Sequence, residues 1–132
     1  MKKHRQRLKC ERGQGLVEAA LTIPLFLLIL CGILDFGWIY SNQLMLNNCS
    51  REAARFAVVS DSKAANFNTL VTQKAKDAVL IGDPADVTVT VSTAGSDVTV
   101  RVERTLNVLT PVVGIFTGQQ VLLNSNSTMR MG

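Results

Sequence analysis

The sequence is poor in the side chains that most often carry enzyme chemistry. Its 132 residues include one histidine, His4, and three scattered cysteines, Cys10, Cys31 and Cys49. A disulfide framework or a metal-ligand cluster needs more of them at closer spacing. The chain also lacks a P-loop, a dinucleotide fingerprint, H-E-x-x-H, paired C-x-x-C and G-x-S-x-G. We therefore predict a protein that is not an enzyme, with no catalytic residue, no metal, no cofactor and no small-molecule substrate.

Beyond its first residues the chain has no surplus of positive charge. Residues 1–13 carry six Lys or Arg side chains against Glu11 alone, a surplus of +5. Since the whole chain is +4, residues 14–132 sum to −1. A nucleic-acid-binding domain carries its basic surplus on a folded face, not in a terminal tail. The charge distribution therefore predicts no nucleic-acid partner.

A long apolar run follows the basic tail. Residues 19–34 contain no charged side chain, and a helix over residues 16–40, at ~1.5 Å per residue, is longer than the ~30 Å hydrocarbon core of a bilayer. Basic side chains precede the run and none follows it directly, which places the N-terminus in the cytoplasm. We predict a single-pass protein of the cytoplasmic (inner) membrane in three parts: a basic leader over 1–13, a transmembrane helix over 14–40 and an extracytoplasmic domain over 41–132.

A cleaved secretory signal peptide is the alternative interpretation of the same residues. The apolar region of such a peptide spans only ~7 to 15 residues and ends in an A-x-A-like site. The run in this chain is longer, and the CGILDFGW segment at its end contains no such site. We therefore expect the apolar helix to remain on the mature chain.

The junction between the tail and the apolar run contains a glycine and an acid. Gly13 ends the tail, and Glu18 lies within the start of the apolar helix, where an ionised carboxylate costs a few kcal/mol unless it is compensated. The arrangement resembles the processing site of type IV pilin-like proteins, which a prepilin peptidase cuts after the glycine. The cut would leave a free amine on Gln14 that can pair with Glu18 of a neighbouring subunit. From spacing alone, a Glu18 hydrated at headgroup depth is equally compatible.

Two further stretches make the resemblance more specific. Residues 12–37 contain a G-Q-x-x-V-E start and a G-x-x-D-F-G end, and residues 47–59 contain R-E-A-A-R. These motifs are similar to those of the TadE-like family, the minor pseudopilins of tight-adherence (Flp-type) pili. The resemblance covers less than half of the chain. It implies processing by a prepilin peptidase, with other pilins or pseudopilins and the pilus assembly platform as partners.

The resemblance also indicates which residues are candidate functional residues. It makes Gly13 and Gln14 the processing site, and we group the following as subunit-assembly residues: Glu18, Asp35, Arg51, Glu52 and Arg55. The residues themselves leave simpler alternatives open, since Asp35 can lie at interface depth and the last three can form a solvated helix face.

Hydrophobic periodicity predicts an α+β fold with the lollipop shape of a pilin. Apolar residues at steps of three and four continue the first helix to about Val59, and the same spacing recurs in a second helix that starts near Ser60–Ser62 and ends at Gly82–Pro84. Alternating valines then predict a hairpin over residues 87–102, with a third strand at about residues 120–131.

The apolar segment over residues 107–118 is open to three interpretations: it packs under the sheet, touches the membrane or contacts a partner. For the whole chain we predict a structural minor pseudopilin in the biogenesis of a tight-adherence pilus. Two alternatives remain, an uncleaved signal-anchored module of the cell envelope that acts as an adhesin or sensor, and a secreted soluble domain.

Overall fold

The computed structural model describes the backbone of residues 3–60, 63–111, 114–115 and 118–132, and side chains from residue 13 onward within those ranges. Its elements, in chain order, are helix α1 (Lys3–Val59), helix α2 (Phe67–Asp77), a short 3-10 turn (Pro84–Asp86), and strands β1 (Val87–Ala94), β2 (Asp97–Asn107) and β3 (Gln120–Arg130). The α+β prediction, with a long first helix, a short second helix and a small antiparallel sheet, is confirmed.

Helix α1 has two halves with different surroundings. It is continuous over 57 residues, with Pro24 inside it. The part that follows Gly13 contains the candidate membrane span among the described residues, and the most apolar window has a mean hydropathy of 2.4 and no buried residue. Its large apolar side chains stand free of the rest of the protein, Leu21 being 80% exposed. This is the pattern of a helix whose apolar surface faces lipid, and it agrees with a single-pass membrane protein.

The sheet follows the predicted alternation. Strands β1, β2 and β3 lie in that order and all pairs are antiparallel. Val89 pairs with Val102 and Val91 with Val100 across the hairpin, whose turn contains Gly95 at a φ of 63°. Because successive side chains of a strand point to opposite faces, the valines form one apolar face. That face lies on the helices, which leaves the threonine-rich face exposed.

The core is a layer between the sheet and the two helices. The outer half of α1 contributes side chains at helical spacing, of which Leu46, Cys49, Ala53 and Ala57 have no exposed surface. Met45 and Ala54 of α1 are buried as well. The remaining buried apolar residues come from α2 and the strands: Phe67, Val71, Ala75, Val87, Val98, Val100, Val102, Leu106 and Leu123. Small residues on α1 let the helix approach the sheet closely, which fixes the direction of α1 relative to β2 and β3.

The ends of α2 differ from the sequence prediction. Ser60 ends α1 rather than starting α2, and Asp61 and Ser62 lie outside the described residues. Asn66 precedes α2 and makes no side-chain capping hydrogen bond. Helix α2 ends at Asp77, before the predicted end at Gly82–Pro84, and the residues after Asp77 lead to β1.

Candidate functional site

The predicted processing junction lies inside the exposed part of α1. Gly13 and Gln14 are helical and exposed. A Cβ built on Gly13 would meet no atom within 4 Å. The junction therefore has no packing role in this chain, and a substitution there would not disturb the folded outer region. Cleavage after Gly13 stays a prediction.

Glu18 lies among exposed apolar side chains. Leu16, Val17 and Leu21 are between 72% and 80% exposed, and the Glu18 side chain is exposed with them. Apart from the backbone bonds of the helix itself, the hydrogen bond described at this residue is accepted by its backbone carbonyl, from the Thr22 hydroxyl at 2.8 Å. Within the described residues no cation lies within ion-pair distance of the carboxylate. The described side chains therefore do not compensate this charge, which in a bilayer leaves it for water, lipid headgroups or a second subunit.

Asp35 has a different environment. It is 1% exposed although it lies on the apolar half of α1. One carboxylate oxygen, Oδ1, accepts the backbone N–H groups of Leu109 at 3.0 Å and Thr110 at 3.1 Å, and the Thr110 hydroxyl donates to Oδ2. Charge-assisted hydrogen bonds of this kind are roughly twice as strong as neutral ones. Both oxygens are thus bound within the chain, and a further pairing of Asp35 with another subunit stays a prediction.

Three exposed charges of the R-E-A-A-R motif share one surface of α1. Arg51, Glu52 and Arg55 are exposed, and with Asn48, Ala78 and Leu80 they line a shallow groove where the end of α2 approaches α1. Leu80 is 87% exposed. Among the described residues none of the three charges forms an ion pair. This mixed surface is available to a partner, and its role in subunit assembly is untested.

A buried arginine joins three elements and was missed in the sequence. Arg104 on β2 is 6% exposed, and its Nη1 donates to the carbonyl of Ile81 at 2.6 Å and to Oδ1 of Asn42 at 3.2 Å. Nη2 lies 3.7 Å from the Asp86 carboxylate. Nε is buried without a partner among the described residues. The signal was the interrupted alternation of β2, where a charge occupies the inward position between Val102 and Leu106.

Gly82 lies directly against the guanidinium group of Arg104. Its φ is +85°, and a Cβ at this position would overlap the Arg104 guanidinium. A residue without a side chain is therefore required both by backbone conformation and by space. Asn42, whose own amide donates to the Trp38 carbonyl at 2.9 Å, completes the polar group on α1. These contacts fix the outer half of α1 to the loop that precedes β1.

A second set of polar contacts fixes α1 to β3. The buried hydroxyls of Ser50 and Ser125 lie 2.9 Å apart, and the Gln43 amide donates to the Asn124 carbonyl at 2.8 Å. Cys49 lies beside them without exposed surface, and its burial raises the pKa of its thiol. Cys49 is thus a small core residue, and its burial also keeps the thiol from a disulfide with another chain.

The comparisons with known proteins concern the first helix. Residues 13–55 match the family model described as TadE-like protein, which confirms the resemblance. The matched segment runs from the glycine junction to the last arginine of R-E-A-A-R, and it indicates involvement in tight-adherence pilus systems. No curated protein and no solved structure matches the chain.

Proposed function

We propose that this chain, which carries a TadE-like segment over residues 13–55, is a minor pseudopilin of a tight-adherence pilus system. In this role a prepilin peptidase removes residues 1–13, and the apolar helix stays in the cytoplasmic membrane. The domain beyond it projects outward and meets other pilins and the assembly platform. The chain acts structurally and catalyses no reaction.

The observation that carries the proposal is the contrast between the two acids of the apolar helix. Asp35 is bound by three donors of its own chain, whereas Glu18 has no partner among the described residues. A carboxylate near the middle of a bilayer costs about 2.5–3.5 kcal/mol, and less toward its edge. A free amine on Gln14 of an adjacent subunit would offset that cost only when helices are bundled. The uncompensated acid thus favours assembly over a solitary helix.

The outer half of α1 supports the same role. Its inward face is completely used by the core, and its opposite face presents Arg51, Glu52 and Arg55 without ion pairs among the described residues. Three charges of both signs on one rigid helix form a specific recognition surface, because a partner must match their order. We assign them to contacts with neighbouring pilins or the platform.

Deletion and complementation in a host that builds the pilus test the proposal. We expect loss or strong reduction of surface filaments on deletion, rescue by the original chain and failure of rescue by Glu18→Ala. The matched control is Asp97→Ala, which removes an exposed carboxylate at the distal turn of the sheet. Membrane levels of each variant are measured alongside, so that failure of rescue is not confused with loss of the protein. Normal filaments without the chain would overturn the proposal, and an adhesin or sensor role would then account for the exposed surfaces.

A further inference from the structure

We propose that the loop between β2 and β3 is a second membrane contact, which inserts Leu109 and Ile115 into the outer leaflet beside helix α1. The inference rests on the proposal that α1 is embedded in a bilayer. The sequence alone left three interpretations of this loop open, and we select contact with the membrane.

The first step is the height of the loop along α1. The Asp35 carboxylate holds the backbone of Leu109 and Thr110 at 3.0–3.1 Å. Asp35 precedes Tyr40 by five residues, or about 7.5 Å of helix. Side chains of a helix tilt toward its N-terminus, so the carboxylate reaches still further toward the membrane-embedded half. The loop therefore touches α1 below the level at which the predicted span ends.

The aromatic side chains set the level of the bilayer surface. Phe36 and Tyr40 are exposed and stacked on each other, with ring centroids 6.1 Å apart. Tyrosine and tryptophan are enriched at the membrane–water interface, which makes Tyr40 the marker of that level. Asp35 precedes Tyr40 along the helix, on the side of the membrane-embedded half. A loop held at that level meets the acyl-chain boundary rather than bulk water.

The second step is the chemistry of the loop. Residues 107–118 contain no charged side chain, although the strands before and after them do. Leu109 is 59% exposed and Ile115 is 80% exposed. Two large apolar side chains are thus exposed on a loop that is bound to α1 at Asp35, and the α1 residues just before Asp35, Ile33 and Leu34, are exposed and apolar as well.

The third step is the fate of polar groups. Backbone N–H groups cannot enter a bilayer unless they are hydrogen-bonded. The two at Leu109 and Thr110 are bound by Asp35, and that of Val108 donates to the Gln119 carbonyl at 3.0 Å. The same bonds supply donors to the carboxylate, whose charge would otherwise be costly at this depth. The Asp35 clamp thus satisfies the acid and the N–H groups of Leu109 and Thr110 at once.

Tryptophan fluorescence of the full chain in phosphatidylcholine vesicles tests the inference. The chain has one tryptophan, Trp38 in α1, which reports on the span itself. Leu109→Trp and, separately, Ile115→Trp are made in a Trp38→Phe background, and Ser92→Trp in the same background is the control on the exposed face of β1. Emission is recorded with bromine-labelled lipid, which quenches from within the bilayer, and with iodide, which quenches from water.

We expect the tryptophans at 109 and 115 to emit at shorter wavelength than the one at 92 and to lose emission to brominated lipid to an extent comparable with Trp38. The tryptophan at 92 should be quenched by iodide alone. Circular dichroism of each variant verifies folding, and either loop position suffices if the other variant is unfolded. Quenching of Trp38 by lipid, with both loop positions quenched by iodide only, overturns the inference and leaves the span intact. Absence of lipid quenching at Trp38 itself contradicts the membrane proposal instead.

Discussion

Replacement of Asp35 by alanine should release the β2–β3 loop while leaving the rest of the fold in place. The substitution removes the acceptor of the Leu109 and Thr110 N–H groups and of the Thr110 hydroxyl. Hydrogen bonds to a charged group contribute about 1.5–3 kcal/mol each. Once the loop opens away from α1, its freed N–H groups and hydroxyl bond to water, which replaces part of what is lost. We therefore expect the local opening of the loop to become easier by about 1.5–3 kcal/mol in total.

Amide hydrogen exchange on the full chain in detergent micelles measures this opening directly. Since about 1.4 kcal/mol corresponds to a factor of ten, Asp35→Ala should accelerate exchange at residues 109 and 110 roughly 10- to 100-fold. Asp35→Asn, which keeps one acceptor oxygen, should give a smaller acceleration. Asp97→Ala, at the distal turn, should give none at these amides. Equal exchange in Asp35→Ala and the unchanged chain would refute the assignment of Asp35 as the clamp of the loop.

Three further predictions concern the outer domain. Gly82→Ala should destabilise the fold by about 2–4 kcal/mol in urea unfolding, because it combines a positive φ with overlap on Arg104. Gly95→Ala, at φ +63° but with open space, should cost only about 1–2 kcal/mol. Equal losses in the two variants would contradict the packing of Gly82. Cys49 should resist maleimide in the folded chain and react after unfolding, as read by mass spectrometry of its peptide; rapid labelling of the native chain would contradict its burial. Burial raises the pKa of the Cys49 thiol. The contribution of the buried neutral thiol to stability is therefore present below the ordinary thiol pKa and declines as the pH rises past that value. The unfolding midpoint should fall more between pH 7 and pH 10 in the unchanged chain than in Cys49→Ala.

Periodicity was enough to predict the elements of the fold. The strand alternation predicted the hairpin and the third strand, because each strand has one buried face, although β2 continues to Asn107 and so five residues beyond the predicted end of the hairpin. Leu46, Cys49 and Ala53 recur at steps of three and four along α1, and all three are buried. Patterns of this kind are local, so that a single sequence contains them completely.

The contacts between distant elements could not be predicted in the same way. The pairing of Asp35 with residues 109–110, and of Arg104 with Asn42 and Ile81, joins positions that are far apart in the chain. Nothing in the local pattern states which backbone groups a buried carboxylate will meet. Only the inward position of Arg104 within the valine alternation indicated that a buried charge needed partners.

The role of a minor pseudopilin requires that the chain is cut after Gly13 and keeps its apolar helix in the membrane. N-terminal sequencing of the chain extracted from host membranes measures both properties together, with Gly13→Leu as the blocked variant and Gly37→Leu as a matched substitution at another exposed, unpacked glycine of α1. We predict a mature chain that begins at Gln14 and remains in the membrane fraction. This processed form should be absent from Gly13→Leu and present in Gly37→Leu. A membrane chain that keeps Met1 or Lys2 in a host with the peptidase, or a water-soluble chain that begins beyond about Asp35, would contradict it.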